Sequence, residues 1–159
     1  MPKFKLPKAD DLDAIASMLW DEEGLVADGN PLPVDDNQHN LVATYISDAD
    51  ELAAVVVADP AFASYSGASL TMMPKGAAED AAKGDYPPVI LENFNEIMNI
   101  CSRIFLDDLS PHLRLAEVKV GPGNLPDAAR SVMDEASQSR SFTVNIPKYG
   151  EGRIRAISL

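Results

Sequence analysis

The sequence has 159 residues, enough for one domain with a full apolar core and too few for two comfortable ones. Its 46% apolar and 24% charged content is that of a globular chain, neither disordered nor fibrous. With 13 basic against 25 acidic residues the net charge is −12, a field that repels phosphate backbones and anionic membrane surfaces, so nucleic-acid binding is not expected.

The longest uninterrupted apolar run, Leu52 to Ala58, is far below the roughly 20 residues of a membrane helix, so no membrane insertion is expected. MPKFKLPK opens with basic residues, but no apolar segment of the length a secretory signal needs follows it, and a cytoplasmic protein is expected. Cys101, the single cysteine, cannot form an intrachain disulfide and reads as a buried small hydrophobe.

In chain order, Asp10 or Asp11 can cap a first helix in which Leu12, Ile15, Ala16, Leu19 and Trp20 share a face, with Gly24 ending it. Residues 25–40, rich in Asp, Asn, Gly and Pro, read as a connection across the surface. Leu41–Ser47 and Glu51–Ala58 form a predicted hairpin around Ser47-Asp48-Ala49-Asp50, and LAAVVVA, apolar on both faces, is expected to be a central strand. Asp59-Pro60 supplies an N-cap and a proline at the first helical position, and Phe62, Ser66, Leu70 and Met73 give the helix a stripe. Gly67 and Ala68 beside that stripe would let another helix approach closely. Residues 74–86 read as a loose loop or one marginal helical turn.

Pro87 to Asp107 is the organising stretch, predicted as one long helix that Ser110-Pro111 closes. At 100° per residue, Ile90, Phe94, Ile97, Met98, Cys101, Ile104 and Phe105 fall on one arc, the core face. Glu92, Glu96, Asn99 and Arg103 form a polar row on the opposite side. Residues 112–120 read as a strand whose alternation slips near Ala116, where a bulge is expected. Gly121-Pro122-Gly123 is a turn, and residues 126–139 carry a helical pattern through Ala129, Val132, Met133 and Ala136. Phe142, Val144 and Ile146 alternate cleanly, residues 148–152 make a turn, and residues 153–159 form the last strand, with Arg153 and Arg155 at an exposed or edge position. The order helix, hairpin, helix, helix, strand, helix, hairpin makes a mixed α+β domain.

Glu96 and Asn99, three apart on the polar face, put a carboxylate beside a carboxamide that can hold water without titrating. Such a pair suits hydrolysis of an activated phosphoryl group, where placing the water matters more than strong base catalysis; the bland alternative is a solvated helix face. His39 and His112 match no metal-ligand spacing and read as surface histidines. Gly150-x-Gly152 lacks the setting of a phosphate loop and reads as a hairpin turn.

The segment ILENFNEIMNICSRIF resembles the helix signature of the chemotaxis phosphatase family containing CheC, CheX and FliY, whose core Glu-x-x-Asn is supplied by Glu96-Ile97-Met98-Asn99. The family places an Asp or Ser four residues before the Glu, where this chain has Glu92, and a proline after the Asn, where it has Pro122 one position late. The strand pair feeding DPAFASYSGASLTMM, the variable loop and the terminal FTVNIPKYGEGRIRAISL match the family's layout over residues 41–159. The resemblance implies a single domain over residues 1–159, in which residues 1–40 add an N-terminal helix and loop to a CheC/CheX-like α+β core. That core is expected to be an antiparallel-rich sheet covered by two long helices.

The resemblance further implies a phosphatase acting on the aspartyl phosphate of a CheY-like receiver domain. Asn99 would orient the attacking water and Glu96 would pair with the receiver's lysine, with Glu92, Asn95 and Arg103 contacting the partner. The chain would need no cofactor of its own, since the receiver carries the Mg2+. A single motif makes the chain most similar to CheX, which implies a homodimer formed by sheet extension. Asn95 and Arg103 stand where family members usually carry a small residue. Arg103 could obstruct docking, bridge to a neighbouring carboxylate or contact the acidic surface of a receiver, and a non-catalytic module docking on a signalling or flagellar partner is the alternative reading.

Overall fold

The structure, a computed structural model, describes residues 4–159; Met1, Pro2 and Lys3, part of the basic opening stretch and of the expected domain, lie outside the described residues. Strands β1 (Val26–Asp28), β2 (Leu41–Ser47), β3 (Leu52–Ala58), β4 (Leu113–Val120), β5 (Ser139–Ile146) and β6 (Gly150–Ser158) form one antiparallel sheet in the order β1-β5-β6-β3-β2-β4. Helices α1 (Ala9–Trp20), α2 (Pro60–Leu70), α3 (Lys75–Ala81), α4 (Pro88–Cys101) and α5 (Asp127–Arg130) join them. No helix among the described residues is long and apolar enough to cross a membrane.

Alternation within the strands sorts the core into two layers. Leu41, Ala43, Tyr45, Val56, Phe142, Val144, Ile146 and Ile154 face α1, α2 and α4, whereas Val42, Val55, Val57 and Ile157 face a smaller cluster built from Leu32, Val34, Leu125 and Ala129. The central strand β3 is therefore apolar on both faces, as its composition implies. The expected bulge is present: Thr44 pairs with Glu117 and Tyr45 with Leu115, leaving Ala116 unopposed. The extra residue keeps Leu113, Leu115 and Val118 all packed on the main core despite their broken alternation.

Several boundaries differ from the sequence expectations. Asp10 and Asp11 do not cap α1; Lys8 is the N-cap residue, and Asp11 at the third helical position accepts its N–H at 2.8 Å. Helix α1 ends at Trp20 in a left-handed Asp21, ahead of Gly24, and Asp13 accepts the N–H groups of Gly24, Leu25 and Val26, turning the chain into β1. Residues 25–40 are thus more than a surface connection, since they contain β1 and bury Leu32, Val34 and Asn40.

Residues 75–81 form the two-turn α3, held because Ala78 and Ala81 are buried against Ala68 and Ile90. The helical pattern of residues 126–139 is realised as the single turn α5; Val132 and Met133 still pack on the smaller core, but from turns. The last hairpin turns at residues 147–149, and Gly152 belongs to β6, where a β-carbon would lie 2.4 Å from the Phe62 Cα. Glycine there permits the close approach of α2 to the sheet rather than a positive φ.

Arg155 is neither exposed nor at an edge. Strand β6 is central, and the guanidinium, 6% exposed, donates to Ser139 Oγ at 2.8 Å, the Leu32 carbonyl at 3.0 Å and the Met133 carbonyl. Burial lowers its pKa below the ordinary arginine range. Arg153 is half-buried and donates to the Asn30 carbonyl at 2.6 Å.

Candidate functional site: the polar face of α4

Asp59 caps α2 by accepting the Phe62 N–H at 2.8 Å and also accepts the Arg153 N–H at 3.1 Å, fixing the start of the helix to β6. Further along α2, Gly67 lets α4 come close: a β-carbon there would lie 2.9 Å from the Ile90 carbonyl oxygen. Asn93 spans the two helices, donating to the Gly67 carbonyl at 2.8 Å and to Thr71 Oγ1 at 3.1 Å. Phe62 and Phe94 meet edge to face below that contact, with centroids 6.3 Å apart.

The buried arc of α4 is the predicted one. Ile90, Phe94, Ile97, Met98, Cys101, Ile104 and Phe105 are all buried, and burial pushes the Cys101 thiol up to about 12, so it is inert at neutral pH. Helix α4 does not run unbroken to Asp107, however. After Cys101 it tightens into a 3-10 turn over Ser102–Phe105, because the Ser102 N–H turns to the Asn99 and Ile100 carbonyls. The Met98 carbonyl, released from its helical partner, accepts the Tyr45 hydroxyl from β2 at 2.6 Å. Tyr45 is fully buried and packs against Phe105 at 5.7 Å.

Glu92, Asn95, Glu96, Asn99 and Arg103 are all exposed. Glu96 and Asn99 lie one turn apart, about 4.5 Å along the axis at the ordinary helical rise. Among the described residues none of these five side chains makes a hydrogen bond or ion pair within the molecule, which removes an internal salt bridge as the role of Arg103. The row is an open surface of free donors and acceptors on a helix pinned from behind. Pro122 is elsewhere, buried in a 3-10 turn after β4, with its carbonyl accepting from Arg130 at 3.1 Å.

His39 and His112 are exposed and far apart in the fold, and among the described residues no group of three or more His, Cys, Asp or Glu side chains is placed to hold a metal ion.

Sequence reasoning missed the two residues that place the row. Tyr45 had a signal: a phenol at a core-facing strand position must find a buried acceptor. Asn93 adjoins Glu92 in sequence, but its contact with α2 appears only once the helices are packed.

No protein-family model matches the sequence, and no curated protein matches it. Solved structures do. FliY from Thermotoga maritima aligns over 93% of this chain and 82% of its own, with a TM-score of 0.53 at 13% identity. CheX from Borrelia burgdorferi, solved in complex with CheY, BeF3 and Mg2+, aligns over 92% of this chain and 94% of its own, with a TM-score of 0.50 at 13% identity. The chain has the fold of CheX and FliY. The middle domain of FliM from H. pylori also aligns, over 94% of this chain and 84% of its own, with a TM-score of 0.48 at 10% identity.

The fold implied by the resemblance is therefore the one observed: an α+β chain whose antiparallel sheet is covered by α2 and α4, with α1 added at the N-terminal side. Within the CheX/FliY fold, the Glu96-x-x-Asn99 segment occupies the exposed face of α4.

Proposed function

We propose that the protein is a phosphatase for the aspartyl phosphate of a CheY-like receiver domain. The observation that carries this reading is the pairing of Glu96 and Asn99 on an exposed, internally unpartnered helix face, behind which the helix is clamped to both α2 and the sheet. CheX of the same fold has been solved bound to CheY with BeF3 and Mg2+, which supports a receiver as the partner.

An acyl phosphate is already activated, so an amide that aligns water in line with phosphorus supplies most of what the reaction needs. Asn99 takes that role; its carboxamide can accept from the water and donate to a phosphoryl oxygen. Glu96 pairs with the receiver's lysine and sets the docking register, while the Mg2+ stays with the receiver. Glu92, Asn95 and Arg103 extend the contact along the row. The protein works in the cytoplasm with its receiver, and a homodimer by sheet extension would use one of the two edge strands among the described residues, β1 or the longer β4.

A second reading, a docking module without catalysis, is favoured by Arg103: a long, exposed cation on the row is suited to grip an acidic partner. The two separate in one experiment. A phosphatase accelerates phosphate loss from a receiver when present at a small fraction of its concentration, whereas a docking module leaves the rate unchanged or slows it in proportion to the complex formed.

A further inference from the structure

A cleft of about 350 Å³ is lined by no residue of α4. It opens where the C-terminal ends of α1 and α2 meet the β5–β6 turn, between Trp20, Met72, Met73 and Tyr149, with Lys75 and Lys148 among its lining residues. That volume is near the lower end for small-molecule sites and suits one or two bulky side chains.

The walls are fixed in advance. The Trp20 indole N–H donates to Ser69 Oγ at 2.7 Å, and the Tyr149 hydroxyl donates to the Met73 carbonyl at 2.7 Å while its ring stacks on Tyr65. Met72 is the opposite. It follows α2 in a left-handed conformation, φ 52°, at the position where helices ordinarily place glycine, and the residue is 79% exposed. A bulky thioether held mostly exposed in a left-handed position that favours glycine adds little to the core, whereas adaptable methionines beside rigid aromatic rings are what binding surfaces use.

Charge selects the occupant. In a chain with 25 acidic and 13 basic residues, the two charged residues of the cleft are both lysines, and neither forms an ion pair among the described residues. We infer that this cleft docks a segment of a partner protein that carries a bulky apolar side chain flanked by carboxylates. The apolar anchor enters between Trp20 and Met72, and the carboxylates meet Lys75 and Lys148.

A test is selection from a random peptide library displayed on phage against the whole protein. Selected peptides are then titrated by the fluorescence of Trp20, the one tryptophan of the chain. The expected peptides combine Phe, Leu or Trp with Asp or Glu, shift the emission saturably and bind more weakly as salt rises. Met72→Gly, which suits the backbone and keeps the fold, weakens them at least tenfold, and so does Lys75→Gln with Lys148→Gln. An absence of enriched peptides, enrichment of basic or uncharged ones, or affinities indifferent to both variants would overturn the assignment. So would concentration-dependent self-association without peptide that Met72→Gly abolishes, since the cleft would then receive a second copy of the chain.

Discussion

The Tyr45 hydroxyl donates to the Met98 carbonyl at 2.6 Å, joining β2 to α4 one residue before Asn99 at the point where the helix tightens. The carbonyl has lost its helical partner, and the phenol makes good that loss in a fully buried setting. Tyr45→Phe keeps the ring against Phe105 and removes this bond together with the weaker 3.7 Å contact of the hydroxyl to Met98 Sδ. It should cost about 1–3 kcal/mol in urea unfolding, the usual cost of a buried unpaired acceptor. If the bond also holds Asn99 in place, the variant loses more maximal rate than receiver affinity.

The approach of α4 to α2 rests on Gly67. Gly67→Ala places a methyl group 2.9 Å from the Ile90 carbonyl oxygen and should destabilise the protein by about 1–3 kcal/mol through backbone displacement. Gly76→Ala in α3 meets nothing within 4 Å and should be neutral or stabilising by up to about 1 kcal/mol. Paired thermal melts of the two variants separate steric contact from helix propensity.

On the second face of the sheet, Arg155 gathers the Leu32 and Met133 carbonyls and Ser139 Oγ. Arg155→Met preserves much of the volume but leaves buried acceptors unpaired, with an expected loss of about 2–3 kcal/mol in denaturant unfolding. Since Arg155 lies on β6 and none of its partners is on α4, receiver dephosphorylation at low temperature should be unaffected.

Alkaline pH should erode stability. Burial raises Cys101 from its ordinary 9.0 to about 12, and it raises Tyr45 and Tyr86 above their ordinary 10.0. The unfolded chain therefore releases these protons first, so the stabilisation is intact below pH 9 and is lost as pH rises toward the folded values. The Cys101 contribution falls by at most about 1.4 kcal/mol per pH unit between pH 9 and 12. Cys101→Ala should flatten the urea midpoint against pH in that window, whatever its cost at pH 7.

Arg103 is exposed and forms no internal ion pair among the described residues, so under the proposed function its effect is expected in the complex. Arg103→Ala should weaken receiver affinity several-fold and leave the rate at saturation unchanged. At net charge −12, association of the wild type with an acidic receiver should quicken as salt screens the repulsion. Titrations at two ionic strengths measure both effects.

Much of this molecule was legible where a local pattern carries its own physical cause. The buried arc of α4, the Asp59 cap, the hairpin of β2 and β3 and the bulge at Ala116 all follow from periodicity or from cap and turn chemistry within a few residues. What stayed hidden depends on partners distant in sequence. Arg155 reads as an exposed arginine until β6 is seen between β5 and β3 with residues 32 and 133 folded over it. Val26–Asp28 becomes a strand only because β5 offers it an edge, and Gly152 has its reason in α2. The candidate site divides in the same way: the exposure of Glu96 and Asn99 follows from helical spacing and their selection from the resemblance, whereas Tyr45 and Asn93, which hold their helix, act across 53 and 26 residues of chain.

The most direct measurement is the decay of phosphate from purified, phosphorylated receiver domains with catalytic amounts of wild type and of Asn99→Ala, alongside the affinity of each for the same receivers. If Asn99 orients the water, wild type speeds decay of at least one receiver several-fold, and Asn99→Ala binds that receiver yet leaves its decay at the spontaneous rate. Equal acceleration by both proteins, or tight binding by wild type with no acceleration of any receiver, would contradict the phosphatase reading and leave α4 as a docking surface.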